Sequence, residues 1–231
     1  GDKSDGLAAI AAKNHKNGVE NPYAQMRKDF GFEFCRTESE KNPFVAGPLK
    51  RTDCSLVSDG AAAVVLADVP TAMTARRAIL FRAAEHVQDF LPMSKRDILA
   101  FEGCAEGWKR AFANSGTTLN DLSLVETHDC FTIAELIEYE AMGLAKPGQG
   151  ADVALSGETE KDGRLPVNPS GGLKAKGHPI GATGVSMHAL SAMQLTGEAG
   201  GIQIPDATLA GIFNMGGAAV ANYVSILERI R

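Results

Sequence analysis

The segment at 168–184, NPSGGLKAKGHPIGATG, places the tightest limit on how this chain can fold. Its closely spaced glycines and its prolines interrupt any long helix or strand, so a shaped loop is expected. Pro179 removes an amide donor directly after His178 and fixes the backbone there. The small residues that follow allow the first turn of a helix to approach a ligand closely. The segment therefore predicts a loop that holds His178 in a ligand cleft, and a plain turn with a structural histidine is the alternative.

The rest of the sequence alternates helix-like and strand-like patterns. Helices are predicted at 5–16, with Asp5 as a possible N-cap, and at 22–29, 101–114, 131–142 and 181–197. Strands are predicted at 60–67, 77–88, 122–127, 207–214 and 218–227, and irregular segments at 31–55 and 143–180. The apolar run at 60–67 is typical of a strand buried on both faces, and the Gly216-Gly217 pair favours an antiparallel hairpin. The alternation predicts an α/β sandwich with a mostly parallel sheet.

Charge and cysteine usage exclude several classes of function. The net charge is −5 and no block of Lys and Arg occurs, which argues against nucleic-acid binding and against an anionic membrane surface. Lys174 and Lys176 form only a small basic patch for a phosphate-rich ligand. No apolar run is long enough to span a bilayer. The 4 cysteines form no C-x-x-C pair, so we expect reduced thiols in a cytoplasmic enzyme rather than a metal site or a disulfide framework.

Two further segments carry groups suited to chemistry. His128 and Cys130 stand where a predicted strand meets a helix, so both side chains can reach one cleft. The helix N-terminus is expected to lower the pKa of the thiol. The alternative is a buried cysteine beside a surface histidine. At 214–217 (NMGG), the backbone N–H groups of the glycine turn are natural oxyanion donors, although a plain hairpin turn explains the pattern equally well.

Together the three segments resemble the thiolase family, and the resemblance covers essentially the whole chain. His178 falls on the catalytic histidine of the family's Gly-His-Pro motif. The sequence HDCF at 128–131 stands where many thiolases have Asn-Glu-Ala-Phe, and it is similar to the sterol-carrier-protein type. Asn214 occupies the position of the acid/base cysteine in the family's late Cys-x-Gly motif. The resemblance therefore implies that Cys130 takes over the proton transfer.

The resemblance implies a thiolase-like layered α/β sandwich built from two similar halves. Residues 1–75 would be the end of the N-terminal domain, including a loop excursion, and residues 76–231 the complete C-terminal domain. The family's nucleophilic cysteine lies upstream of the matched part. No matching motif contains the remaining cysteines, Cys35, Cys54 and Cys104. Because the chain also opens without methionine, we expect a fragment that lacks the nucleophile and is inactive alone. Its strand at 60–67 would lack most of its sheet, which should expose an apolar face or drive rearrangement and association.

The reaction implied by the resemblance is an acyl transfer, as a Claisen condensation or as the thiolytic cleavage of a 3-ketoacyl-CoA. Coenzyme A and acyl-CoA are substrates, and no covalently bound cofactor is expected. His178 would activate the absent cysteine, and Cys130 would remove or return the α-proton. His178 and His128, directly or through a water, would serve the enolate oxygen, and the Gly216 amide would hold the acyl-enzyme oxygen.

Weaker expectations also follow from the resemblance. Ser55 matches a serine that touches the pantetheine arm, in surroundings that depart from the usual family sequence. Ser170 and Gly177 lie in the signature loop and could contact substrate. The other histidines have no motif context and are predicted to be structural or exposed: His15, His86 and His188. Family members form dimers or tetramers, so a homo-oligomer that includes the missing N-terminal half is expected.

Other functions are weighed against acyl transfer. A non-catalytic acyl-CoA or lipid-binding module would suit a chain without a nucleophile. A thiolase-like aldolase that works with an OB-fold acyl-CoA-binding partner is disfavoured because that subclass uses tyrosines in place of the cysteines. No tyrosine stands at a matched position; the chain has Tyr23, Tyr139 and Tyr223. A β-ketoacyl synthase is disfavoured by the loop at 168–184.

Overall fold

Helices and one four-stranded sheet account for most of the architecture in a computed structural model that describes residues 1–231. The helices are α1 (Ser4–Gly18), α2 (Gly31–Arg36), α3 (Val69–Ala72), α4 (Glu102–Ser115), α5 (Thr132–Ala141), α6 (Gly150–Ser156), α7 (Gly172–Ala175) and α8 (Thr183–Leu195). The strands are β1 (Phe44–Ala46), β2 (Leu49–Lys50), β3 (Ile79–Gln88), β4 (Leu124–Glu126), β5 (Leu209–Gly216) and β6 (Ala221–Arg229). No helix combines the length and the apolar composition needed to span a bilayer.

The main sheet has the strand order β3-β6-β5-β4. Strands β5 and β6 form the predicted antiparallel hairpin, and its turn uses Gly217, Ala218 and Ala219 in the left-handed region. Strand β3 also pairs antiparallel to β6, and only β4 and β5 run parallel. The expectation of a mostly parallel sheet is therefore wrong. The reason is that a tight hairpin reverses the chain, whereas parallel neighbours need a long crossover.

Alternating side chains on the strands bury both faces of the sheet. Phe213 and Ile226 belong to a core cluster that includes Trp108 of α4. Their neighbours along the strands, Ile212 and Leu227, belong to a second cluster that includes Met187 of α8. Because successive side chains point to opposite faces, α4 covers one face of the sheet and α8 covers the other. This layered α/β arrangement agrees with the expected fold class.

The predicted strand at 60–67 does not form. The chain at 57–68 has no strand assigned, and Val65 and Leu66 are 96% and 74% exposed. A strand needs a neighbour to pair its amides and carbonyls, and no other strand lies beside this segment. The apolar side chains of this run are exposed, which is one of the two outcomes expected, and rearrangement with association stays a prediction.

Two other local predictions need correction. Residues 22–29 form no helix, because the amides of Gln25 and Met26 donate to the carbonyls of Lys176 and Ala175 instead. The next helix is α2, inside a stretch expected to be irregular. The loop at 143–180 likewise contains α6 and α7. Asp5 lies in the first turn of α1 and does not cap it.

Helix α1 is tied to the second half of the chain by buried polar contacts. Lys13 Nζ lies 2.6 Å from Glu135 Oε1, at an ion pair whose members are 3% and 0% exposed. Asn14 donates to Glu135 at 2.6 Å and Asn17 to the carbonyl of Asn168 at 3.1 Å. These bonds fix α1 against α5 and against the loop at 168–184, so the first helix supports the region that holds the site.

Candidate active site

The register of β4 and β5 places His128 opposite Asn214. Glu126 pairs with Ile212 in the parallel ladder, so the residues two positions further along each strand come level with each other. His128 Nδ1 lies 2.7 Å from Asn214 Oδ1. The sequence identified Asn214 only as the substitute for a family cysteine. Its contact with His128 depends on a register that the sequence does not reveal.

Residues 57–58, just before the exposed run at 60–67, hold the loop that carries His178. Val57 bridges to His178 in a parallel arrangement, and the His178 amide donates to Ser58 Oγ at 2.8 Å. Gly177 has a φ of +109°, and a Cβ built there would lie 2.8 Å from Ser58 Oγ. Glycine is therefore required at this position by both backbone conformation and space. Gly177 thus shapes the loop, and sequence reasoning missed Ser58.

The two motif histidines meet at this point. Their ring centroids are 5.0 Å apart, with the ring planes at 87°. Burial is the main reason that the pKa of His128 falls to about 4, with the charges of His178 and Lys176 adding to it and the Asn214 hydrogen bond opposing it. Burial and the Lys176 charge also lower the pKa of His178. Both rings are therefore neutral at pH 7 and can accept protons.

Asp129 fastens the HDCF loop to the loop that contains the second histidine. The Asp129 side chain accepts the amide of Leu173 at 2.6 Å and the amide of Lys174 at 3.3 Å. It also accepts from Asn14 at 2.8 Å. Burial, followed by the nearby Glu135 charge, raises the pKa of Asp129 to about 7. The side chain between His128 and Cys130 thus points into the protein and fixes the geometry of both.

Cys130 lies in an environment opposite to the one predicted. Burial raises the pKa of its thiol to about 12, and the carboxyl groups of Glu138 and Asp129 add to the effect. The expected lowering by the helix N-terminus is wrong because desolvation and nearby acids outweigh it. The amide of Ser55 donates to the Cys130 carbonyl at 2.8 Å, which places Ser55 beside the HDCF loop.

The other thiols are also poor nucleophiles in this structure. Burial raises the pKa of Cys35 to about 11 and that of Cys104 well above its ordinary value. It raises the pKa of Cys54 as well, against the opposing charge of Lys174. A thiol that stays protonated is neither a ready nucleophile nor a ready metal ligand.

Several predicted contact residues turn out to be buried. Ser170 is fully buried and donates from its hydroxyl to Glu126 at 2.6 Å, so it does not line the cleft. Lys174 is fully buried and donates to the Cys54 carbonyl at 2.6 Å, so the expected basic patch is absent. Lys176 is 6% exposed and donates to Ser186. Gly216 is exposed at the end of β5, and a Cβ built there would have open space around it.

The remaining histidines and the tyrosines make their contacts apart from the pair formed by His128 and His178. His15 packs edge-on against Phe30, and His86 stacks on Tyr223. His188 contacts the Gly184 carbonyl at 2.7 Å. Tyr139 is fully buried and donates to Glu135, and Tyr23 is 62% exposed. None of these contacts joins a tyrosine to His128 or His178.

A family model described as Thiolase C-terminal domain-like matches residues 84–229. The chain belongs to this thiolase family. An acetyl-CoA acetyltransferase from Methanothermobacter thermautotrophicus is 37% identical over 225 residues, which are 96% of this chain and 58% of that protein. Human sterol carrier protein 2 is 38% identical over 229 residues, which are 95% of this chain and 41% of that protein. The chain thus spans about half the length of these relatives.

Solved structures confirm the thiolase-like fold. The Ltp2-ChsH2(DUF35) aldolase superposes with a TM-score of 0.85 at 20% identity, over 99% of this chain and 59% of that one. A monomeric SCP2-thiolase like protein from Mycobacterium smegmatis gives a TM-score of 0.72 at 20% identity, over 98% of this chain and 47% of that one. The predicted family and its sterol-carrier-protein type are confirmed.

Proposed function

We propose that this chain supplies the histidine side of a thiolase-type active site, which transfers an acyl group between a cysteine and coenzyme A. The observation that carries the proposal is the edge-to-face contact between His128 and His178 at 5.0 Å, made by two loops far apart in sequence. Membership of the thiolase family and the relatives named acetyl-CoA acetyltransferase and sterol carrier protein 2 support it.

The acylated cysteine belongs to a part of the protein outside these residues. Support comes from the thiols of this chain, because burial raises the pKa of every one of them. Cys130 is suited to a different task. A thiol with a pKa of about 12 stays protonated at pH 7 and can return a proton to a carbanion.

In the cleavage direction each group then has one role. His178 takes the proton of the external thiol, whose sulfur attacks C3 of a 3-ketoacyl-CoA. The C2–C3 bond breaks, its electron pair stays on C2, and Cys130 returns a proton there to give acetyl-CoA. The thiol of free CoA then gives its proton to the Cys130 thiolate and attacks the acyl-enzyme, and the released cysteine sulfur takes back the proton held by His178. Ser55, beside the HDCF loop, and Gly177, next to His178, would contact the substrate, and the Gly216 amide would hold the acyl oxygen.

The active assembly would combine this chain with the remaining half of the thiolase fold and, as in the family, with a second copy of the protein in the cytoplasm. An OB-fold partner belongs to the aldolase alternative. That alternative has weaker support, because none of the tyrosine contacts described above reaches the histidine pair.

The test is complementation. The chain alone should neither cleave acetoacetyl-CoA with CoA nor gain an acetyl group by mass spectrometry. Mixed with the N-terminal half of the Methanothermobacter relative, it should form acetyl-CoA, and His178→Ala should abolish turnover. His86→Ala, on the far strand β3, is the matched control and should retain it. An acetyl adduct on the chain alone contradicts the proposal. So does an inactive mixture when the relative's own two halves are active under the same conditions.

A further inference from the structure

A buried acid lies behind the HDCF loop with no cation beside it. Glu138 of α5 is 0% exposed. Its Oε2 accepts a hydrogen bond from the hydroxyl of Thr127, the residue before His128, whereas its Oε1 is buried and has no hydrogen-bond partner. No lysine, arginine or histidine forms an ion pair with it.

Glu135, about one turn earlier on the same helix, shows what an ionised carboxylate needs in this interior. It pairs with Lys13 at 2.6 Å and accepts hydrogen bonds from Asn14 and Asn168. An unpaired charge in the interior costs far more free energy than a neutral acid, so a carboxyl without such partners keeps its proton. Glu138 is therefore a neutral carboxylic acid at pH 7.

The groups that face Glu138 act in the same direction. Burial raises the pKa of Glu138 well above its ordinary value. The Thr127 hydroxyl and the His128 amide oppose this rise, and the charges of Glu135 and Asp129 add to it. None of these neighbours carries a positive charge, so none of them compensates an ionised Glu138.

The proton on Glu138 affects the thiol of the HDCF loop. Cys130 packs against the core cluster that contains Cys104 of α4. After burial, a charge on Glu138 is the largest contribution that raises the pKa of Cys130, ahead of the charge on Asp129. The same charge raises the pKa of Cys104. While Glu138 keeps its proton, Cys130 is free of this contribution and releases its own proton more readily.

We propose that Glu138 is a positioning residue that, as a neutral acid, holds the HDCF loop through Thr127 and allows Cys130 to give and take a proton. Its effect on catalysis rests on the proposed function. The protonation of Glu138 and its coupling to Cys130 are properties of the chain itself. When Glu138 ionises at alkaline pH, its charge suppresses the thiolate of Cys130.

The protonation of Glu138 can be read by infrared spectroscopy of the isolated chain. A protonated carboxyl has a C=O stretching band that an ionised carboxylate lacks. The difference spectrum between the native chain and Glu138→Gln should contain this band at pH 7. Glu160→Gln, at the exposed ion pair with Lys16, is the control and should remove only carboxylate bands. Carboxylate bands alone in the Glu138→Gln difference spectrum at pH 7 overturn the proposal.

Alkylation by iodoacetamide, followed by peptide mass spectrometry from pH 7 upward, measures the coupling. Only a thiolate reacts, so Cys130 should react equally fast in the native chain and in Glu138→Gln at pH 7. Once the infrared band is lost, the native rate should fall behind by about tenfold, because a like charge then lies nearby in a low-dielectric site. Cys54 is the internal control, since its pKa depends on burial, Lys174 and Asp53, and its rate should agree in both proteins.

Two alkylation results contradict the proposal. A faster Cys130 in Glu138→Gln already at pH 7 means that the native Glu138 is charged there. Equal rates at a pH where the infrared band has gone mean that Glu138 does not act on Cys130. If the band persists wherever the chain stays folded, the rates should agree throughout. These tests need only the nearly isosteric variant.

The complementation assay tests the use of this proton in catalysis. Glu138→Leu leaves the Thr127 hydroxyl without its partner and should lower kcat by about 100-fold with little change in KM, as expected when a reacting group is displaced by about 1 Å. Glu138→Gln should retain more activity. A native kcat in Glu138→Leu overturns the positioning role. If no version of the mixture is active but the infrared and alkylation results agree, the proposed function fails while the neutral state of Glu138 stands.

Discussion

Replacing Lys13 by methionine removes the only cation that contacts the buried carboxylate of Glu135. Lys13 Nζ lies 2.6 Å from Glu135 and 2.7 Å from the Val167 carbonyl. Three neutral donors would remain on Glu135, from Asn14, Tyr139 and Asn168. The charge itself would have no counter-ion in a place where both side chains are almost completely buried.

Breaking a buried ion pair in this way costs about 3–5 kcal/mol. At roughly 2–4 °C per kcal/mol for a chain of this size, Lys13→Met should lower the Tm by roughly 6–20 °C. Urea unfolding followed by the fluorescence of the single tryptophan, Trp108, measures the free energy of unfolding. Glu135→Gln in the Lys13→Met background keeps one of the two acceptor oxygens, which can still serve Asn14 and Asn168, and removes the charge, so it should recover part of the loss.

The matched control lies one turn further along the same helix. Lys16 pairs with Glu160 at 3.3 Å and is 61% exposed, so Lys16→Met should change stability by less than about 0.5 kcal/mol. If Lys13→Met costs no more than Lys16→Met, the reasoning from burial is refuted.

Two further predictions concern other parts of the structure. Burial, aided by the Lys174 charge, lowers the pKa of His15 from 6.5 to about 3. The neutral form therefore stabilises the fold above pH 6.5, and that contribution is lost as the pH falls towards 3. His15→Leu lacks this dependence. In urea titrations, the free energy of unfolding of the native chain, relative to that of His15→Leu, should therefore fall by about 2 kcal/mol between pH 7 and pH 5. An unchanged difference would contradict the assignment. Gly177→Ala should cost about 1–3 kcal/mol in thermal unfolding, because φ is +109° and the added Cβ meets Ser58. Gly181→Ala, in open space in the same loop, is its control, and equal effects would refute the argument.

Local patterns in the sequence determined several elements correctly. The apolar repeat of α1, α4, α5 and α8 predicts helices that the structure contains, with ends shifted by a few residues. The two apolar runs around Gly216-Gly217 predict the β5–β6 hairpin. These features depend on neighbouring residues, so the periodicity of side chains is enough to reveal them. The motif at 168–184 likewise identified the family, since its spacing is readable without a fold.

Partners distant in sequence decided the rest. The run at 60–67 has strand-forming composition, but pairing needs a neighbouring strand, and none lies there. The sequence placed His128 and Asn214 in separate motifs, and only the β4–β5 register set them 2.7 Å apart. Cys130 stands before a helix, yet its thiol pKa rises because the fold buries it near Glu138 and Asp129. Residue types and spacing were thus local information, whereas burial, register and charge environment arise when distant segments pack together.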